Sequence, residues 1–144
     1  MLRAGVLILT LWMGFRLLVA LSILFKLLVL GKNSPALIIL YGTMQGTGLD
    51  PRALATINGL AVVANASIAA LSILSLVVIW SALMRRAVWA FWSLAGSLLF
   101  VEVVRWAGEY FFYRQGNLLA DAAVFLPVLA GIACAAIGVF RRSP

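Results

Sequence analysis

Residues 59–84 read GLAVVANASIAALSILSLVVIWSALM, twenty-six positions without a single charged side chain. Wound as an α-helix, the stretch extends about 39 Å, more than the roughly 30 Å of a bilayer's hydrocarbon. Three other runs share its character: about Gly5 to Leu30, Ala87 to Phe112 and Ala122 to Phe140. The reading is an all-α integral membrane protein, with four transmembrane helices in a compact bundle and one domain over residues 1–144. Composition agrees: 65% of residues are hydrophobic, 10% are charged and the mean hydropathy is +1.15. Soluble domains are roughly half apolar and about a quarter charged.

The connections refine this picture. GKNSPALIILYGTMQGTGLDPRA separates the first two spans, MRR the second from the third, and YRQGNLLAD the third from the fourth. SPALIILYGTM is too short to span, but apolar enough to lie in the interface or to re-enter the membrane. Asp50 followed by Pro51 has the form of a helix start, a capping carboxylate before a residue preset for the first turn. A helix from Pro51 to Met84 would be unusually long unless Asn58–Gly59 bends it. The opening MLRAGVLILTLWMGF has the look of a signal peptide, with Arg3 as its basic region. The apolar run resumes beyond Arg16, however, and no small-residue cleavage site follows, so a retained span is expected.

Orientation follows from the basic residues in the loops. Arg3, Arg85, Arg86, Arg141 and Arg142 fall on one side of four alternating helices, with Lys32, Arg52 and Arg114 on the other. Five against three places both termini in the cytoplasm, in a membrane of the bacterial inner type. Trp80, Trp89 and Trp92 flank the Arg85–Arg86 turn, and Trp106 with residues 110–113 (YFFY) marks the opposite level, as interfacial rings do.

Against this background the charges inside the spans stand out. Glu102, Arg105 and Glu109 are spaced three and four apart, on one helix face. Each would cost on the order of 2.5–3.5 kcal/mol at a bilayer centre, so that face should seek protein or water. Measured from the cytoplasmic helix ends, Arg16 lies about 16 Å deep and Glu102 about 22 Å, while Lys26 at about 31 Å falls between Arg105 at about 27 Å and Glu109 at about 33 Å. These depths suggest pairing of Arg16 with Glu102 and of Lys26 with Glu109, with Arg105 between its own two glutamates. A static ion-pair network that fixes helix register is the favoured reading, and a proton or ion pathway through Glu102 is the alternative.

Other positions read as packing devices. Asn58, Asn65 and Ser72 recur every seven residues in the second span, with Ala61 and Ala69 near them. In the fourth span Gly131 with Ala135, and Cys134 with Gly138, form two small-xxx-small pairs, and Gly96 in the third span suits a similar role. YGTMQGTG lacks the Gly-Lys-Ser/Thr ending of a phosphate loop and reads as a flexible connection. Pro127 falls inside the fourth span, where membrane helices tolerate it.

The chain has one cysteine, Cys134, and no histidine. It therefore offers no intramolecular disulfide, no Cys/His metal cluster, no histidine-ligated haem and no Ser-His-Asp triad. No cofactor is expected to be held by such groups, while bound lipid or pigment is left open. The net charge of +7 is scattered between apolar runs rather than gathered in a stripe that could track phosphates, so nucleic acid is not an expected partner. Expected partners are membrane lipids and either other integral membrane subunits or further copies of the chain. The functional expectation is a non-catalytic accessory or structural subunit of a membrane complex, with a small homo-oligomeric transporter or channel as the alternative. In its four short spans and membrane glutamate the chain resembles the small multidrug-resistance transporters. That family's glutamate lies in the first helix, where this chain has Arg16, so no residue carries over.

Overall fold

A computed structural model describes residues 1–29, 50–108 and 118–141, which hold four long helices and no strand. They are α1 (Leu2–Val29), α2 (Pro51–Ser81), α3 (Val88–Gly108) and α4 (Leu118–Phe140), with a 3-10 turn at Leu83–Arg85. All four are long and apolar enough to cross a membrane. The expected interfacial segment Ser34–Met44 and Glu109 lie outside the described residues.

Three of the helices begin before the apolar stretches that announce them. α2 begins at Pro51, eight residues before the expected span, and passes through Asn58–Gly59 as helix. α1 starts at Leu2 and α4 at Leu118, each a few residues early. Apolar length sets what hydrocarbon can cover, whereas backbone hydrogen bonding propagates until a cap or breaker stops it. Pro51 supplies such a boundary at the first helical position, where its missing N–H is no loss. Pro127 sits inside α4 without ending it.

The chain divides into two compact units, Met1–Gly14 with Leu74–Pro144, and Phe15–Ile73. In the first unit, Val6, Leu9 and Met13 of α1 share a core with Ile79 and Leu83, with one face of α3, and with Val128 and Ala135 of α4. The α3 face is Phe91, Ala95 and Leu98, at steps of four and three, and Glu102 is the next step on the same face. At the end of α3 that carries Phe91, its ring meets those of Trp92 and Phe140 edge-on, with centroids 5.2 and 5.3 Å away. The second unit has a smaller core, in which Leu27 and Ile23 of α1 pack with Ala61 and Val62 of α2. Outward faces carry large apolar side chains such as Leu11, Leu18, Phe25, Leu74, Phe100 and Leu126. A surface that faces water rarely exposes so many large apolar side chains.

The reversal between α2 and α3 is built without glycine. The Arg86 N–H donates to the Leu83 carbonyl at 2.9 Å and the Ala87 N–H to the Ala82 carbonyl at 3.1 Å. This pair of bonds satisfies the last carbonyls of the helical turn, and the apolar contact that usually accompanies it comes from Ala82 and Ala87, both against the core. The motif requires one left-handed residue, and here it is Arg86, at φ 59° and ψ 29°. Glycine adopts that conformation at no steric cost, whereas a residue with Cβ loses about 1 kcal/mol or more. Arg86→Gly is therefore expected to keep the fold and raise stability by up to about 1 kcal/mol. The check is the unfolding midpoint in detergent; a lowered midpoint would mean that the guanidinium contributes more than the strained backbone costs.

Candidate functional site

Glu102 is the only buried acidic side chain among the described residues, with 1% of its surface accessible. Its burial follows from its place on the face that Phe91, Ala95 and Leu98 direct into the core. One helical turn on, Arg105 Nε donates to Glu102 Oε2 at 3.0 Å, and 31% of the arginine side chain is accessible. The pair thus has a sealed carboxylate and a cation that reaches the surface of the unit. At this spacing the two side chains lie one above the other on a single helix, so the contact needs no second helix to form it. Chemically it is a charge-assisted hydrogen bond, which is shorter and about twice as strong as a neutral one.

Arg16 is half-buried, on the α1 face that carries Met13 and Ala20 at neighbouring turns, and it belongs to the second unit. Lys26 is exposed in the last turn of α1, also in the second unit. Glu109 lies outside the described residues, as do Lys32 and Arg114.

The polar stripe of α2 resolves into one seam. Asn65 and Ser72 are buried, Asn58 is half-buried, and the same seven-residue step continues to buried Ile79. Asn65 Nδ2 donates to the Ala61 carbonyl and Ser72 Oγ to the Ile68 carbonyl, each at 2.8 Å. Both donors are therefore engaged by their own helix, as short polar side chains do where water is scarce.

The small residues of α4 meet α1. A Cβ added at Gly5 would stand 2.5 Å from the Ala135 backbone N and 2.9 Å from the Gly131 carbonyl oxygen. One added at Gly131 would meet Leu9 Cδ2 at 2.8 Å, and one at Gly138 would collide with Leu2. The contacts Leu2–Gly138, Gly5–Ala135 and Leu9–Gly131 step through the two helices in opposite directions, so α1 and α4 cross antiparallel at backbone distance. Cys134 is half-buried beside this seam. Gly96 is exposed, with nothing within 4 Å of the place its Cβ would occupy. Gly5 was not marked as a packing residue by the sequence, because a lone glycine near a span's edge has no small-residue partner on its own helix. Its role follows from the register with α4. Thr10 is a second feature without a sequence signal: its hydroxyl is buried with no hydrogen-bond partner among the described residues, and nothing in the structure explains it.

No protein-family model, curated protein or solved structure matches this chain.

Proposed function

We propose that the protein is a non-catalytic accessory or structural subunit of a larger membrane protein complex. In this reading its four helices cross a membrane of the bacterial inner type, with both termini in the cytoplasm. The orientation rests on the basic residues in the loops, which are more numerous on the side of Arg3, Arg85, Arg86 and Arg141. The observation that carries the subunit reading is the state of Glu102. A carboxylate that relays protons must meet water or substrate at some stage, whereas this one is sealed in the core and neutralised by the next turn of its own helix. Such a pair stabilises a buried helix face that would otherwise bear a bare charge. The outward apolar faces then supply the surface on which partner subunits assemble.

A second reading has a specific observation in its favour. An acidic side chain at membrane depth is by default a candidate for ion or proton coupling, and Glu102 meets that description. Native mass determination after mild-detergent extraction from the source membrane separates the two. The expected result is a larger complex containing this chain in fixed stoichiometry. A self-oligomer alone would overturn the subunit reading and make Glu102→Gln in a gradient-driven flux assay the next experiment.

A further inference from the structure

We infer that the arginine-bearing end of the first unit is a binding site for the phosphate headgroups of anionic phospholipids. Three separate parts of the fold bring four arginines to that end. Arg3 lies in the first turn of α1, Arg85 and Arg86 in the turn between α2 and α3, and Arg141 directly after α4. The packing already described holds these points together: Leu2 lies against Gly138, Phe91 against Phe140, and Ala82 and Leu83 share the core with Ala90 and Phe91. All four arginines are exposed.

No acidic residue belongs to this end. Asp50 precedes α2, Glu102 lies in the second half of α3, Glu109 follows α3, and Asp121 falls in the first turn of α4 at its opposite end. The first turns of α1 and α3, which open here with their unbonded N–H groups, contain no acidic side chain either. No acidic side chain at this end therefore offsets the arginines. The charged side chains described at this end are all arginine, whose planar fork matches phosphate oxygens two at a time, a geometry lysine lacks. Arg86 adds a separate argument, because it holds a left-handed backbone position that glycine would fill more comfortably. A strained position that nonetheless carries a guanidinium suggests that the side chain is needed there.

The neighbouring surface selects lipid over a soluble phosphate. Trp80, Trp89 and Trp92 are exposed around the same turn, with Met84, Val88 and Phe140 exposed beside them. Amphipathic rings sit at headgroup level, and the aliphatic faces behind them offer acyl chains a surface that an inorganic anion cannot use. The inference rests on the membrane part of the reading above and not on the subunit part. Resistance of the chain to alkaline carbonate extraction tests the membrane part separately.

The test uses the full chain, purified and delipidated in a neutral detergent. Unfolding midpoint and native mass are followed while dioleoyl phosphatidylglycerol, dioleoyl phosphatidylcholine or inorganic phosphate is added. We expect bound lipid and a raised midpoint with phosphatidylglycerol, and little change with the other two. Each arginine replaced by glutamine should weaken phosphatidylglycerol binding roughly fivefold, with helicity and lipid-free midpoint retained because the side chains are exposed. Arg86→Gly is the discriminating variant, since it should bind phosphatidylglycerol more weakly while its lipid-free midpoint does not fall. Equal binding of both lipids, undiminished binding by the Arg85→Gln/Arg86→Gln variant, or an equal response to inorganic phosphate would overturn the inference.

Discussion

Gly5→Ala should lower the stability of the folded chain by about 2–3 kcal/mol, the largest effect expected of any single methyl group in the described residues. The new Cβ would sit 2.5 Å from a backbone nitrogen and 2.9 Å from a backbone Cα of α4, and neither can rotate away. The only relief is to separate two helices along their whole crossing. In the membrane setting proposed above, that loss is not offset by a hydrophobic drive, because hydrocarbon tails are as apolar as the surfaces they would cover. Close packing is a main source of helix association there. The other glycines should rank by what their Cβ would meet. Gly138→Ala collides with Leu2, at the first turn of α1, where the chain can move, and should cost less. Gly131→Ala meets chiefly the Leu9 side chain, which can change rotamer, and should cost less again. Gly96→Ala meets nothing and should gain up to about 1 kcal/mol from helix propensity. Denaturant titration in mild detergent, followed by helicity, gives the order. If Gly5→Ala and Gly96→Ala unfold together, α1 and α4 do not pack at backbone distance.

This ranking also marks how far the sequence alone could reach. Helix existence was legible, since a run such as residues 59–84 has few alternatives to a helix in an apolar medium. Helix starts were legible where a local signal marks them, as Asp50–Pro51 does for α2, and less so for α4, which begins before apolar length demands it. For the site, the three-residue spacing of Glu102 and Arg105 is a local property, and one helix suffices to bring them within reach. The spacing of Gly131, Ala135 and Gly138 likewise marks a close-packing face from one helix. Gly5 is different in kind: its importance depends on the antiparallel register of α1 against α4, which no single stretch of chain encodes. Arg86 is also illegible, since two arginines between apolar runs give no sign that one must adopt a left-handed backbone. The destination of the Asn65 and Ser72 donors falls between these cases. The residues read as hydrogen-bonding groups, yet only the fold shows that the carbonyls of their own helix take them.

Removing Arg105 should cost more than removing Glu102, although both belong to one ion pair. The carboxylate is sealed and the guanidinium is partly accessible, with 1% and 31% of the side chains exposed. Arg105→Leu therefore takes the cation from a charge that cannot reach water, at a cost of about 3–5 kcal/mol. Glu102→Leu leaves a long, flexible cation that is already partly accessible at the surface of the unit, so its penalty should be smaller. The double variant Glu102→Leu/Arg105→Leu should recover most of the loss, because a well-packed apolar pair commonly equals a buried ion pair in stability. The sum of the single losses should thus exceed the loss in the double variant by most of the about 3–5 kcal/mol that a stranded carboxylate costs, rather than by the few tenths of an exposed helix pair. Stability in detergent measures this coupling, and recovery of the complex proposed above, followed by native mass, gives a second readout on the same variants. Static glue predicts that assembly follows stability and returns with the double variant. A carboxylate that carries protons predicts otherwise: Glu102→Leu and the double variant would both abolish gradient-driven flux, and restored folding would not restore it. Single variants as stable as the wild type, with flux lost only when Glu102 is replaced, would show that the charge is kept for transport and not for the fold.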